Sequence, residues 1–379
     1  MKHFLLKLLL FVAPVVLFSA LPLYLQLESR EDFYNLDRFF EKERKTSLVG
    51  YAYNEENYRY FKYKSILENE PVEVMAIGSS RVLQFRQEMF SASFYNAGYV
   101  IETIADIDMF LSILPQDRLP LYLIIGLDQW MFNPDKDRIL RPHPPSWWQN
   151  NLSTNYKKSV QNFLRIYRDV WRGKINPLTL GQKNEKIYKI GLYAHLDSSG
   201  FRNDGSFFYG RQIQKLEQGD STASDHNFAE TLRRVEKGII GFEHGDHINE
   251  RAFVLLEQLL SFCEHNSINV ICFMPPFADV VYERMLSNHN HAYLSLIEPK
   301  IRYIQRLHQF EFYAYHHAPA CGSSDDEFID GRHGSEKAYL RILLDMLKNC
   351  SELNNATNPM ELQKALSGSN SRYTIFSRY

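Results

Sequence analysis

A chain of 379 residues, 45% hydrophobic and 23% charged, has ample apolar material for a sizeable core, and no Gly/Ser-rich or Pro-rich hinge divides it, so one main domain with an insertion is expected. The formal net charge of −2 and the lack of a Lys/Arg block argue against nucleic acid as the main partner, because phosphate binding needs concentrated positive charge. The 13 histidines include no HExxH and the four cysteines (Cys263, Cys272, Cys321, Cys350) no CxxC, so neither a metal nor another cofactor is expected.

From the N-terminus, Leu8 to Leu25 is an uncharged apolar run that follows Lys2 and Lys7. As a helix it spans roughly 27 Å, enough to cross a hydrocarbon core of about 30 Å. A cleaved signal has a shorter apolar centre and an A-x-A-like exit; Ser19-Ala20, with Phe18 at the −3 position, matches that poorly. An uncleaved membrane anchor over 1–27 is therefore expected ahead of a cleaved signal or a buried soluble helix. Arg30, Arg38, Lys42, Arg44 and Lys45 outnumber the lysines before the run, but long domains translocate largely regardless of such charges. The expected arrangement is a short inside tail and a large domain outside the cytoplasm. Cys263 and Cys272 sit in apolar periodic segments and read as core, whereas Cys321 and Cys350 are free to pair there.

Residues 28–70 mix charge with Tyr and Phe, and the amphipathic NEENYRYFKYKSIL predicts a helical stalk. An alternation follows over 71–350. PVEVMAIG (71–78) predicts a buried strand, SRVLQFRQEMF (80–90) a helix, SFYN (93–96) a strand, TIADIDMFLSIL (103–114) a helix and PLYLIIGL (120–127) a strand. The rhythm returns with a helix over 250–266, a strand over 268–276, helical sequence over 278–308, a strand over 310–315 and a helix over 335–347. Apolar strands alternating with helices predict an α/β fold, a three-layer α/β/α sandwich with a mostly parallel sheet whose ligands bind beyond the strands' carboxyl ends. Residues 134–249 break the rhythm and read as an insertion beside the site. It contains GFRNDGSFFYG (200–210), where Asp204-Gly205 predicts a hairpin turn, and the Trp147-Trp148 pair, a candidate sugar-stacking surface as well as a candidate for local packing. The polar tail, 351–379, is expected to be loose.

In AIGSSRVLQF, Gly78-Ser79-Ser80 follows the first buried strand and opens a helix. Glycine permits a sharp turn, and the helix N-terminus offers N–H groups and positive potential to an oxyanion. A serine there is also an ordinary N-cap. A serine nucleophile needs a base, and the base needs a partner that holds its tautomer. Asp330 and His333, three apart in FIDGRHGSE near the end of the chain, supply that pair in the order Ser, Asp, His.

This combination resembles the SGNH (GDSL-type) hydrolase superfamily, and more narrowly its membrane-anchored members of the DltD and AlgJ/AlgX-like kind. Gly78-Ser79-Ser80-Arg81 matches the nucleophile block with Ser79 in place of the usual Asp, Asn96-Ala97-Gly98 the second block, and Asp330-Gly331-Arg332-His333 the terminal D-x-x-H. The resemblance implies a catalytic triad of Ser80, Asp330 and His333, with an oxyanion hole from Ser80, Gly98 and Asn96. Tyr99-Val100-Ile101 lack the second block's later glycine. In the third block, Asp128 stands where the family carries an oxyanion-binding Asn. Asp128 is then structural or protonated, with Asn96 or Gln129 as the substitute donor. Arg81, Asp128, Gln129, Trp147 and Trp148 are candidate substrate-binding residues. The function implied is an anchored O-acyltransferase or esterase for an acylated cell-envelope polysaccharide, working beside a membrane acyl-donor protein. A non-catalytic scaffold or glycan-binding module on the same fold, and a lipid-directed esterase, are the alternatives.

Overall fold

The computed structural model describes residues 1–40, 46–152, 156–180, 187–349 and 352–376. Its strands are β1 (Ser47–Val49), β2 (Val74–Gly78), β3 (Phe94–Gly98), β4 (Tyr122–Gly126), β5 (Tyr188–Ile190), β6 (Ser199–Phe201), β7 (Phe207–Tyr209), β8 (Asn269–Met274) and β9 (Glu311–Ala314). The principal helices are α1 (Lys2–Glu28), α2 (Asn57–Glu68), α3 (Ile104–Ser112), α4 (Tyr156–Trp171), α5 (Glu250–His265), α6 (Asp279–Ser287), α7 (Leu294–His308), α8 (Glu336–Lys348) and α9 (Pro359–Gly368).

The fold is mixed α/β. Strands β3-β2-β4-β8-β9, in that order, pair in parallel throughout. Side chains alternate across each strand, so Met75, Ile77, Leu123 and Ile125 pack with α3, α5 and α7, while Val74, Ala76 and Ile124 pack with α8. Both faces are covered, which is why the strands read as apolar throughout. The chain steps from β2 to β3 on one side and then to β4 on the other, leaving a crevice at the carboxyl end of β2.

A second sheet, β5-β1-β6-β7, joins the insertion to the segment after the apolar helix. The Asp204-Gly205 hairpin forms as expected: β6 and β7 are antiparallel, Arg202 N–H donates to Ser206 O at 2.8 Å, and Gly205 takes φ +77°. The segment over 28–70, expected as a helical stalk packed on the domain, packs there and also contributes a strand. β1 is an inner strand of this sheet, and Tyr58 and Phe61 of α2 pack with Leu83 and Phe201. Buried Lys62 donates to Asn96 O at 2.6 Å and to Gly205 O, tying β3 to the hairpin. Glu31 fixes the start of the segment, its carboxylate accepting the N–H groups of Ala52, Tyr53, Asn54 and Leu192.

The helix expected over 80–90 is replaced by two 3-10 turns, Ser80–Val82 and Gln87–Met89. The Asn96 amide donates to Val82 O (2.8 Å) and Phe85 O (3.0 Å), occupying carbonyls that would propagate a helix. The tail is also ordered into the fold through residue 376. Leu353, Leu362 and Tyr373 are buried, and Glu336 accepts the Ile375 and Phe376 N–H groups, each at 2.7 Å, while pairing with Arg86 at 2.8 Å. Cys263 and Cys272 lie in the core as expected and Cys321 is buried; Cys350, its candidate partner, lies outside the described residues.

The second sheet predicts an acid sensitivity. Burial, reinforced by Lys189 and Arg30, lowers the His195 imidazole to about 4. Unfolded histidine titrates near 6.5, so between those values the unfolded chain holds more protons and stability falls as pH drops from about 6.5 through about 4. Urea midpoints measured across that window are expected to decline more steeply in the wild type than in His195→Gln.

Candidate active site

β2 delivers the chain to the sheet's carboxyl edge at Gly78. Ser79 takes the cap: its Oγ accepts the Arg81 N–H at 3.1 Å, which leaves the Ser80 hydroxyl uncommitted to capping. Val82 then rests on the terminal glycines of three adjacent strands. A Cβ on Gly78 would lie 2.7 Å, and one on Gly98 2.6 Å, from a Val82 methyl, and one on Gly126 closer still. Those missing side chains let the Ser80 turn sit down on the edge of the sheet.

The other half of the site lies ahead of α8. Ser80 Oγ is 2.8 Å from His333 Nε2, and His333 Nδ1 is 2.7 Å and 2.9 Å from the two Asp330 oxygens. Asp330 Oδ1 also accepts the N–H groups of Arg332 (2.8 Å) and His333 (2.9 Å), and Ile329 N–H closes the turn on His333 O at 2.8 Å. Burial pushes the Asp330 carboxyl up, but His333 and the backbone donors outweigh it and hold the group well below the usual carboxylate range. An ionised carboxylate only accepts, so Nδ1 carries the proton and Nε2 offers its lone pair to the Ser80 hydroxyl.

Arg81, a candidate substrate ligand, is instead taken up in the interior. It is 1% exposed and points under the site. It donates to Asp128 Oδ1 (3.0 Å), Gln129 Oε1 (2.7 Å), Pro275 O (2.6 Å) and Arg332 O (3.1 Å), with Phe277 4.0 Å from its guanidinium carbon. One side chain thus ties together the loops that follow β2, β4 and β8 and the loop that carries His333. Asp128 and Gln129 are likewise interior partners rather than substrate ligands. Burial raises the Asp128 carboxyl and lowers the Arg81 guanidinium, each opposed by the charge of the other. A carboxylate at 128 is the counterion that a buried Arg81 requires.

The oxyanion expectation is corrected at two residues. Gly98 N–H is donated to Asn96 Oδ1 at 2.9 Å, and the Asn96 amide holds Val82 O and Phe85 O, so both are spent on shaping the turn. Ser80 N–H, the first of its 3-10 turn, has no acceptor within that turn and remains a backbone donor beside the Ser80 hydroxyl. Tyr99, directly after Gly98, holds φ +75°, a conformation uncommon outside glycine and often found at functional sites.

A cleft of about 740 Å³ opens on Ser80 between Tyr99 and Trp130, and charges of both signs, among them Arg59, Arg332, Glu55 and Glu102, line it. Trp148 does not reach it; its ring is fully buried and its Nε1–H donates to Val100 O at 2.6 Å. Trp147 is taken up by local packing, stacked on His143 at 3.9 Å with Arg59 3.8 Å from its centre. Sequence reasoning missed Tyr99, Trp130, Arg332 and Tyr209, whose ring lies 6.3 Å from that of His333. Arg332 lies inside the D-x-x-H motif and Tyr99 directly follows Asn96-Ala97-Gly98, the signals that would have found them. Tyr209 closes the hairpin and gave no chemical signal. No protein-family model matches the sequence, and no curated protein matches it.

Proposed function

We propose that this chain is a membrane-anchored serine acyl-transfer enzyme of SGNH type, an O-acyltransferase or esterase whose substrate is an acylated cell-envelope polysaccharide. The observation that carries the reading is the continuous Ser80, His333, Asp330 relay at the crevice end of a parallel sheet. Ser80 Oγ gives its proton to His333 Nε2 as it bonds to the acyl carbon, and Ser80 N–H donates to the oxyanion. The imidazolium, stabilised by Asp330, protonates the departing oxygen. The neutral imidazole then takes a proton from the acceptor hydroxyl, of water in an esterase or of a sugar in a transferase, as that oxygen bonds to the acyl carbon, and returns it to Ser80 Oγ as the serine ester bond breaks.

The mixed charges and aromatic walls of the cleft suit a hydroxyl-rich glycan better than an acyl chain, which disfavours a lipid-directed esterase. The apolar α1 supports an anchored enzyme with its domain outside the cytoplasm, where such glycans and a membrane acyl-donor protein would be met. A scaffold or glycan-binding role remains the second reading, favoured by the engagement of Gly98 and Asn96, which leaves Ser80 N–H without those expected co-donors. Full-length protein in detergent, treated with a fluorophosphonate probe, is expected to label in the wild type and not in Ser80→Ala. Equal labelling of Ser80→Ala removes Ser80 as nucleophile. A wild type that neither labels nor hydrolyses an activated acetyl ester selects the scaffold.

A further inference from the structure

The last turns of α1 do not stand clear of the domain. Phe18 stacks on Tyr167 at 5.1 Å, lies 6.3 Å from Phe163, and accepts the Tyr167 hydroxyl at its carbonyl at 2.7 Å. Gln26 donates to Ser159 O at 3.3 Å. Residue 18 therefore meets residues 163 and 167 while residue 26 meets residue 159, so α4 meets α1 at its domain end, and the Tyr53 hydroxyl, donating to Asp169 Oδ2 at 2.8 Å, holds the C-terminal end of α4 back against the domain. Leu21 and Leu25 fill the seam with Ile166 and Val170.

This geometry conflicts with a membrane that ends where the domain begins. From Lys2 to Leu17 the helix is only about 24 Å long, short of a hydrocarbon core of about 30 Å. Reaching about 30 Å takes about 20 residues, so α1 spans the core only if Phe18 to about Leu21 are also immersed, and that brings α4 to the bilayer. The outer side of α4 suits such a place. Beside its buried Ser159, Phe163 and Ile166 runs a stripe of Val160, Leu164 and Trp171, which are 63%, 70% and 91% exposed, with Leu178 at 88% on the next turn. Exposed Arg168, Arg172 and Lys174 border it. An apolar stripe edged with cations is the pattern of a helix lying in a membrane interface, where Trp and basic residues meet headgroups.

We propose that α4 and the Leu178 turn form a second membrane contact, with the apolar stripe at the headgroup and acyl boundary of the leaflet beside the domain. The basic residues lie at the lipid phosphates. Lipid is favoured over a protein occupant because the stripe continues the exposed apolar surface of α1 and because its border is cationic. The proposal rests on α1 being membrane-embedded and is independent of the acyl-transfer reading.

The test uses the full chain in phosphatidylcholine/phosphatidylglycerol vesicles carrying nitroxide quenchers at shallow or deep acyl positions. Of the four tryptophans, Trp130 and Trp148 are buried and Trp147 is stacked in the domain, so the difference between wild type and Trp171→Phe isolates Trp171. Its emission is expected to fall about twofold or more with the shallow quencher and less with the deep one. Phe11→Trp in the Trp171→Phe background reports α1 separately. If the indole introduced by Phe11→Trp is quenched and Trp171 of the wild type is not, the α4 contact is wrong while the anchor stands; if neither is quenched, both fall. A benzoylphenylalanine at position 164 that yields a discrete protein adduct, with Trp171 unquenched, assigns the stripe to a protein partner and overturns the proposal.

Discussion

His333→Ala and Asp330→Asn are each expected to lower acyl turnover by about 10⁴-fold with little change in KM. Asp330→Asn is the more informative of the two. Its amide oxygen still accepts the Arg332 and His333 N–H groups, so the loop stays closed. The amide nitrogen, however, donates to Nδ1, which moves the ring proton to Nε2 and leaves no lone pair for the Ser80 hydroxyl. Because the Asp330 carboxyl titrates well below its ordinary range, any loss of wild-type activity near pH 5 to 6 cannot arise from its protonation. The measurement is kcat on an activated acetyl ester with the same variants checked by circular dichroism. Turnover within about tenfold of wild type in either folded variant would sink the relay.

Asp128→Ala is expected to cost about 3–5 kcal/mol of stability, read from urea unfolding, because it leaves a buried guanidinium without its counterion. Arg81 and Asp128 are each 1% exposed on their side chains, so water cannot replace the lost partner. Asp128→Asn, which keeps an acceptor, should lose less, and Arg81→Met combined with Asp128→Leu should recover much of the loss. A cost below about 1 kcal/mol for Asp128→Ala would mean that the pair is not held as ions. The effect should extend to catalysis, since Arg81 also holds Arg332 O, one residue from the base.

The five parallel strands were legible because the inner strands are apolar on both faces and the edge strands keep a short apolar run, a pattern set locally. The relay was legible because its acid and base lie three residues apart and its serine follows a strand end. What escaped was long-range. Nothing near Arg81 announces that its partners lie 47, 48, 194 and 251 positions away. Without them an arginine on a first turn reads as a substrate ligand. Asn96 misled for a similar reason, since its amide, from another strand, holds the carbonyls of Val82 and Phe85 where a helix was expected. The segment over 28–70 looked like a stalk because its tyrosines and phenylalanines imply an apolar partner without naming it. That partner is the hairpin of the insertion.

The carboxylate of Glu31 sets the reach of the whole molecule. By gripping four amides from two distant stretches within three residues of the end of α1, it leaves no pliable leash between that helix and the domain. With α1 embedded as proposed, the cleft at Ser80 would be carried at one height and one tilt above the lipid. On the proposed function, a polymer would then have to be threaded to that level to be modified, and its distant chains would stay out of reach.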